Sequence, residues 1–253
     1  MPAIVWVQPT QWSQQQRRSC ARKGFTLLDV LVSLAVITVL IGLMLPALTA
    51  IRETSRKVVC SSNIRQVGLA TAMYAEDYKR KLPYSANFSK FVSNNGFTPQ
   101  SLMQARLGMP DDSTSKWDGL GLLFGSGYCN AAQVYYCPSH RSIHRYETYA
   151  SGWAGAPVAV YTNFQYRGGT VVGSTSESNL DKMTNRISLV GDGMASEMDF
   201  NHIDGGNVVV SDLSIAWFDD LNKSLLLPSS YNDPAAHDKL RDAWNLIDYW
   251  VGK

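Results

Sequence analysis

Cysteines and histidines in the middle of the chain have the residue types of zinc ligands but a loose spacing. Cys129, Cys137, His140 and His144 follow the pattern C-x7-C-x2-H-x3-H, whereas structural zinc sites use thiolate and imidazole in tighter pairs. A disulfide involving Cys137 is therefore favoured over zinc. Its partner is either Cys129, which would close a short loop, or Cys60, which would tie two distant segments together. Free thiols are a further alternative.

Acidic residues crowd the glycine-containing stretch between residues 191 and 213. Carboxylate oxygens on such a loop suit Ca²⁺. The spacing is not that of a known calcium loop, and acidic residues in turns are commonly just solvated. The candidate calcium ligands are Asp192, Glu197, Asp199, Asp204 and Asp212.

His202 and Asp204 could be taken for a catalytic dyad. The chain has only four histidines, and no serine or cysteine lies in a nucleophile motif such as G-x-S-x-G. We therefore expect no enzymatic activity, and we expect His202 to hydrogen-bond backbone and fix a loop. The net charge is +2, and no Lys/Arg tract with interleaved aromatic residues indicates nucleic-acid binding.

The first structural element that the sequence predicts is an apolar run from Phe25 to Leu45. As a helix it would span about 31 Å, roughly one hydrocarbon thickness. A secretory signal peptide explains it poorly, since the run is long, contains Asp29 and lacks a small-x-small cleavage site. An uncleaved signal anchor is an alternative, but it does not account for a carboxylate inside an apolar helix, where charge is costly. The preceding residues contain no acid and four bases: Arg17, Arg18, Arg22 and Lys23.

Residues 23–32, KGFTLLDVLV, resemble the type III signal of type IV pilins and type II secretion pseudopilins. The resemblance implies that a prepilin peptidase cuts after Gly24 and methylates the new N-terminal residue, Phe25. Asp29 holds the position of the family's glutamate, with the same charge and one methylene less. Pro46 stands where pilin helices commonly carry a proline, and we expect it to kink the helix.

The resemblance also gives Asp29 a role in assembly. Cleavage creates a positive amine on Phe25, and the mature helices of a filament bundle in a core of low dielectric constant. There the amine of one subunit and the carboxylate of a neighbour neutralise each other, which sets the axial stagger of incoming subunits.

Later motifs resemble a subfamily related to the major pseudopilin of type II secretion. The stretch from Cys60 to Tyr74 is similar to its C-x-x-N-L-R-Q-I/L-G-L-A helix, and Cys137 begins its C-P-S motif. His202-x9-Asp212 matches its H-x9-D-G element, except that Leu213 stands where the subfamily has the glycine of a tight turn. A Cys60–Cys137 disulfide would use the two matching cysteines. The major pseudopilin is known for calcium in its C-terminal loop region, so the resemblance supports a calcium site at the acidic residues named above.

The resemblance implies a structural subunit rather than an enzyme. It would cross the inner membrane once, carry its soluble domain in the periplasm and assemble into a type II secretion pseudopilus or a related periplasmic or cell-surface fibre. The implied partners are prepilin peptidase, further copies of the chain, other pseudopilins, the inner-membrane assembly platform and membrane lipid. One alternative is a type IV pilus subunit for adhesion, motility or DNA uptake. Another is an uncleaved, membrane-anchored enzyme or binding protein.

The whole chain predicts an α+β fold in three parts. These are a leader at 1–24, a transmembrane and polymerisation helix at 25–48, and a periplasmic domain at 49–253 that includes the amphipathic half of the same helix. Apolar residues from Cys60 to Tyr78 recur at 4-3 spacing, which predicts one buried helix face. The sequence Lys79-Arg80-Lys81 before Pro83 predicts its end.

The long helix should pack on a small, mainly antiparallel β-sheet with a C-terminal helix. That last helix, capped by Asp233-Pro234, would bury Leu240, Trp244, Ile247 and Val251. A short helix is predicted near Ser101–Leu107. The predicted strands are Gln133–Cys137, Ala159–Tyr166, Thr170–Val172, Ile187–Gly191, Asn207–Ser211 and Ser214–Phe218.

Overall fold

A computed structural model describes the chain over residues 24–93, 98–108, 116–168, 179–183, 185–194, 199–202, 204–220, 225 and 235–253. It divides into two units, Met1–Thr49 and Ala50–Lys253. The predicted leader before Gly24, the strand Thr170–Val172 and the cap Asp233-Pro234 lie outside the described residues.

Helix α1, Leu27–Asp77, is the long N-terminal helix that the sequence predicts, and it continues through Pro46. It begins with a capping box, in which the backbone N–H of Asp29 donates to Thr26 Oγ1 at 3.3 Å. In return, the Thr26 N–H donates to Asp29 Oδ2 at 2.9 Å. In the first unit, residues 25–45 are exposed along the whole apolar run.

One face of α1 is buried within the second unit. Cys60, Ile64 and Val67 have no exposed surface, as the 4-3 spacing predicts. The chain leaves the helix at the predicted stop, where Lys79 and Arg80 take φ values of 58° and 62°. The amphipathic half of α1 is therefore built into the core of this unit.

Short elements connect α1 to the sheet. They are the helices α2 (Ala86–Ser93), α3 (Gly121–Gly125) and α4 (Tyr146–Trp153), and the 3₁₀ turns Pro99–Met103, Ala132–Tyr135 and Leu180–Lys182. Two short strands, β1 (Gln104–Arg106) and β2 (Val160–Tyr161), pair antiparallel.

The main sheet has four antiparallel strands, adjacent in chain order. They are β3 (Phe164–Tyr166), β4 (Ser188–Asp192), β5 (Gly205–Val210) and β6 (Ile215–Asp219). The predicted hairpin is β5–β6, with Val209 opposite Ile215. The α+β fold is confirmed.

Helix α5, Ala236–Val251, is the predicted C-terminal helix, and it buries Leu240, Trp244, Ile247 and Val251. Side chains of β5 alternate between two cores, as the two-residue period of a strand requires. Val209 packs with the buried face of α1, and Val208 and Val210 pack with α5. The sheet thus lies between the second half of α1 and α5.

Three predicted elements differ from the structure. The predicted strand Ala159–Tyr166 is two strands, β2 and β3, which belong to different sheets. Gln133–Cys137 is not a strand but overlaps the 3₁₀ turn Ala132–Tyr135. Asn163 explains this, because its backbone N–H donates to Tyr135 O at 2.9 Å and its side-chain Oδ1 accepts from the Cys137 N–H at 3.1 Å. These contacts satisfy the backbone without a strand partner. The predicted helix near Ser101–Leu107 is a 3₁₀ turn followed by β1.

The β5–β6 turn shows how the chain accommodates leucine in place of glycine. Leu213 has a φ of 64°, in the left-handed region. Asp212 closes the turn, since its Oδ1 accepts from the Ser214 N–H and its Oδ2 from Arg186 Nε, both at 2.9 Å. The turn forms with leucine present, at a conformational cost of about 1–2 kcal/mol.

Leu213→Gly is therefore expected to be about 1 kcal/mol more stable than Leu213→Ala, because glycine takes a positive φ without a steric cost. Thermal unfolding of the full chain in detergent should show a Tm about 2–4 °C above that of Leu213→Ala. Leu213→Ala is the matched control, because it loses the same half-buried side chain but keeps the strain, and it should melt below the native chain. A Leu213→Gly variant that melts no higher than Leu213→Ala would contradict this account.

Candidate functional site

Four side chains of metal-binding type meet in the core of the second unit. They are Cys60 on α1, Cys137 after the 3₁₀ turn Ala132–Tyr135, Asp192 at the end of β4, and His202 before β5. All four are buried, and their possible ligand atoms lie within 4.8 Å of one another. We call this group the Cys–Asp–His cluster.

Direct contacts link the members of the cluster. Cys60 Sγ donates to Asp192 Oδ1 at 3.1 Å. Cys137 Sγ lies 3.5 Å from His202 Nε2, and that nitrogen lies 3.8 Å from Asp192 Oδ2. Two sulfurs, one imidazole nitrogen and one carboxylate therefore face a common centre.

Glu53 orients the imidazole of His202 from outside the cluster. Its Oε1 lies 3.2 Å from His202 Nδ1 and accepts a hydrogen bond from Ser139 Oγ at 2.8 Å. Glu53 stands seven residues before Cys60, two turns away on the same face of α1. A carboxylate at Nδ1 favours the tautomer that leaves the lone pair of Nε2 towards the cluster.

Two asparagines hold the Asp192 carboxylate. Asn201 Nδ2 donates to Oδ1 at 2.8 Å. The backbone N–H of Asn207 donates to Oδ2 at 2.6 Å, and its side-chain Nδ2 donates to the same oxygen at 3.0 Å. These donors compensate a buried negative charge and fix the direction of both carboxylate oxygens.

Electrostatics favour charge separation between Cys137 and His202. Burial lowers the pKa of His202, but Cys137, Asp192 and Glu53 outweigh burial and raise that pKa to about 9. Burial raises the pKa of Cys137, and contacts with Cys60 and His202 outweigh it, so the pKa falls below the usual value. Burial, Cys137 and Asp192 all raise the pKa of Cys60. One thiolate can therefore form next to an imidazolium.

The arrangement suits two kinds of chemistry. Cys137, His202 and Glu53 stand in the order of a cysteine nucleophile, its base and an orienting acid. Cys137 is only 4% exposed, however, and it shares the site with a second thiol and a carboxylate. Two sulfurs, an imidazole and a carboxylate, all on buried side chains, form the donor set of a structural metal site.

The predicted disulfide partners are partly brought together. Cys60 and Cys137 lie in the cluster, whereas Cys129 is half-buried outside it. All three are free thiols in the structure. A disulfide involving Cys137 stays a prediction.

Cys129, His140 and His144 do not belong to the cluster, and Cys137 alone among the zinc ligands suggested by sequence spacing does. His140 Nδ1 lies 2.8 Å from Asn201 Oδ1, and its Nε2 lies 3.7 Å from Asp199 Oδ1. His144 Nδ1 contacts the hydroxyl of Tyr149 at 2.7 Å. Burial lowers the pKa of both histidines.

The candidate calcium ligands have different partners. Asp192 lies in the cluster, Asp199 beside His140, and Asp212 in the β5–β6 turn. Asp204 Oδ1 accepts from Lys57 Nζ at 2.7 Å, so it does not form a dyad with His202. Glu197 lies outside the described residues. Over the described ranges, these acids form no group of three or more that could hold a metal.

Sequence reasoning missed Glu53, Asn201 and Asn207. Glu53 could have been found, because a seven-residue step from Cys60 keeps it on the buried helix face. Asn201 and Asn207 flank His202 in the chain, but nothing in the sequence indicates that both turn towards Asp192.

The predicted processing residues and the assembly residue Asp29 lie at the start of α1, and the assembly residue Pro46 lies within it. Gly24 and Phe25 precede the helix, and Asp29 forms the capping box with Thr26. Among the described residues, α1 is the one helix long and apolar enough to cross a membrane.

Comparison with known proteins places most of the second unit in a family. No curated protein and no solved structure matches the chain. A family model described as "Protein of unknown function (DUF1559)" matches residues 49–206, more than half of the chain. The matched segment contains the whole Cys–Asp–His cluster, but not residues 22–48, which carry the resemblance to pilins. The chain belongs to the DUF1559 family of proteins of unknown function.

Proposed function

We propose that the chain is a pilin-like structural subunit, a pseudopilin, which prepilin peptidase processes and which assembles into a type II secretion pseudopilus or a related fibre. One observation carries the proposal. Directly after Gly24, an exposed apolar helix begins with a carboxylate at Asp29, fixed in its first turn. A helix that served only as an anchor has no need of that charge.

The amphipathic half of α1 supplies a second observation. Ile51, Val58, Leu69 and Met73 are 60%, 65%, 61% and 56% exposed. At about 100° per residue they fall on one stripe about 60° wide, opposite the buried face that contains Cys60. We call this the exposed stripe. The α1 helix of a neighbouring subunit would cover it in a fibre, where it would no longer face water.

In this proposal the soluble domain lies in the periplasm and the chain crosses the inner membrane once before assembly. Its partners are prepilin peptidase, the assembly platform, membrane lipid, other pseudopilins and further copies of the chain. A type IV pilus subunit would use the same helix, and a membrane-anchored enzyme or binding protein would keep residues 1–24. Processing separates this last class from the other two.

Gly24→Leu is expected to block processing, because a bulky side chain cannot replace glycine at the peptidase cleavage site. The native chain should be recovered from membranes with N-methylated Phe25 at its N-terminus, as intact mass will show. The variant should keep residues 1–24. Gly24→Ala is the matched control, and its small side chain should allow partial cleavage.

A Cβ placed on Gly24 meets no atom within 4 Å, so lost cleavage would report on the peptidase and not on folding. A native chain that keeps residues 1–24, in cells that contain prepilin peptidase, would contradict the proposal. It would favour the anchored enzyme or binding protein.

A further inference from the structure

The Cys–Asp–His cluster has a donor set that a hydrophobic core does not need. Three separate segments bring Cys137, Asp192 and His202 to Cys60 on α1, and all four side chains are buried. Burying four polar groups in a core costs their hydration, which one shared metal ion would offset. We propose that the cluster binds one zinc ion, with Cys60 Sγ, Cys137 Sγ, His202 Nε2 and one oxygen of Asp192 as ligands.

The ligand atoms lie close to the separations that a tetrahedral ion requires. Zinc bonds of about 2.0–2.3 Å place neighbouring ligand atoms roughly 3.3–3.8 Å apart. Cys60 Sγ lies 3.1 Å from Asp192 Oδ1, Cys137 Sγ lies 3.5 Å from His202 Nε2, and that nitrogen lies 3.8 Å from Asp192 Oδ2. All four ligand atoms lie within 4.8 Å of one another. Side-chain adjustments of about 1 Å would bring them to the separations of a zinc site.

Outer contacts support metal binding by two of the ligands. Glu53 at Nδ1 of His202 forms the carboxylate–histidine pair that commonly stands behind a zinc ligand. Asn201 donates to Asp192 Oδ1 and Asn207 donates to Asp192 Oδ2, which holds the carboxylate in place. All of these contacts would serve one purpose, which is to orient His202 and Asp192 towards a metal ion.

The types of the ligands select zinc. Two thiolates and an imidazole favour a soft or borderline ion, whereas Ca²⁺ and Mg²⁺ require oxygen ligands. Four protein ligands leave no open position, so the ion would be structural and not catalytic. Binding releases the thiol protons, and any proton on His202 Nε2, to solvent, and no electron is transferred.

A Cys60–Cys137 disulfide is the competing state of the same residues. It would remove the S–H that Cys60 donates to Asp192. It would also leave His202 Nε2 and the carboxylate beside a sulfur pair that neither donates a proton nor carries charge. Zinc engages all four groups. Cys137 lines an open cavity of about 640 Å³ together with Ser139 and His140, which gives the ion a path from solvent.

Such an ion would join the second half of α1 to β4 and to the segment before β5. Zinc would thus fix the helix that carries the exposed stripe to the sheet. This inference is independent of processing and of fibre assembly, and it can be tested on unassembled protein.

The test is the metal content of the full chain, purified in detergent without chelators and analysed by mass spectrometry. We expect about one zinc per chain, and its loss in Cys60→Ser and Cys137→Ser. Cys129→Ser is the matched control and should keep the ion. Glu53→Gln should keep the ion but weaken its binding about 10–100-fold, as outer-contact changes do.

If the cysteine variants fail to fold, Co²⁺ binding to the native chain still tests the proposal. Exchange of Co²⁺ into the native chain should give the sulfur-to-metal charge-transfer absorption and the intense visible bands of a tetrahedral site. Cys129→Ser should give the same spectrum. Native protein that contains no metal would overturn the proposal. This holds whether alkylation at lysis shows Cys60 and Cys137 as free thiols or as a disulfide. Zinc retained by folded Cys60→Ser and Cys137→Ser variants would overturn it too.

Discussion

Gly205→Ala is expected to destabilise the protein by on the order of 3–5 kcal/mol, because a new Cβ would collide with the neighbouring strand. Gly205 has a φ of 154°, and its Cβ would lie 2.0 Å from the carbonyl oxygen of Phe218 on β6. Gly205 pairs with Asp219 and also forms a bridge with His202. Relief of the collision would therefore move both the hairpin and the histidine of the Cys–Asp–His cluster.

Thermal unfolding of the full chain in detergent measures this effect, and Tm should fall by on the order of 10 °C. Gly155→Ala is the matched control. Gly155 has a φ of 112° and nothing within 4 Å of its Cβ position, so alanine there has only the dihedral cost of about 1–2 kcal/mol. Equal losses in the two variants would show that the collision is absent and that the hairpin adapts around residue 205.

Local patterns allowed the main elements to be predicted from sequence. The 4-3 spacing that begins at Cys60 gives the buried face of α1, and the spacing from Leu240 to Val251 gives that of α5. Both depend on the period of one helix, which the sequence states directly. The β5–β6 hairpin was predicted for the same reason, because its strands are neighbours in the chain.

Long-range contacts determine the features that could not be predicted from the sequence. The strand predicted at Gln133–Cys137 has the right residue types, but Asn163 supplies its backbone partners and turns it into a 3₁₀ segment. The Cys–Asp–His cluster depends on that segment and on the order of β4 and β5. Its four members come from four segments, so no spacing rule joins them.

Asp29 has two physical explanations, and they predict different results. As the capping residue of α1, its Oδ2 accepts from the N–H of Thr26 at 2.9 Å and from its hydroxyl at 2.8 Å. As an assembly residue, it would neutralise the Phe25 amine of a neighbouring subunit. A hydrogen-bond acceptor suffices for the first role, whereas the second requires a negative charge.

Asp29→Ala is expected to abolish fibres while leaving the membrane-inserted subunit intact. Its apolar helix becomes more apolar, so insertion should not weaken. Removal of one partner from a buried ion pair leaves the other charge uncompensated, which should lower subunit affinity at least about a hundredfold. The measurement is the yield of sheared or crosslinked surface fibres from cells with matched expression and confirmed cleavage. Asp29→Glu restores the charge and should assemble at least as well as the native chain.

Asp29→Asn separates the two explanations, because an amide oxygen still accepts from the N–H of Thr26 but carries no charge. If Asp29 pairs with the Phe25 amine, Asp29→Asn should lose fibre assembly to the same extent as Asp29→Ala. Thr26→Ala is the converse control, since it removes the hydroxyl of the capping box and keeps the carboxylate, and it should form fibres. Normal fibre yield from cleaved Asp29→Asn, together with poor yield from Thr26→Ala, would assign the acid to helix capping. In that case the carboxylate would not be part of a subunit contact, and the exposed stripe of α1 would be left as the feature that specifies assembly.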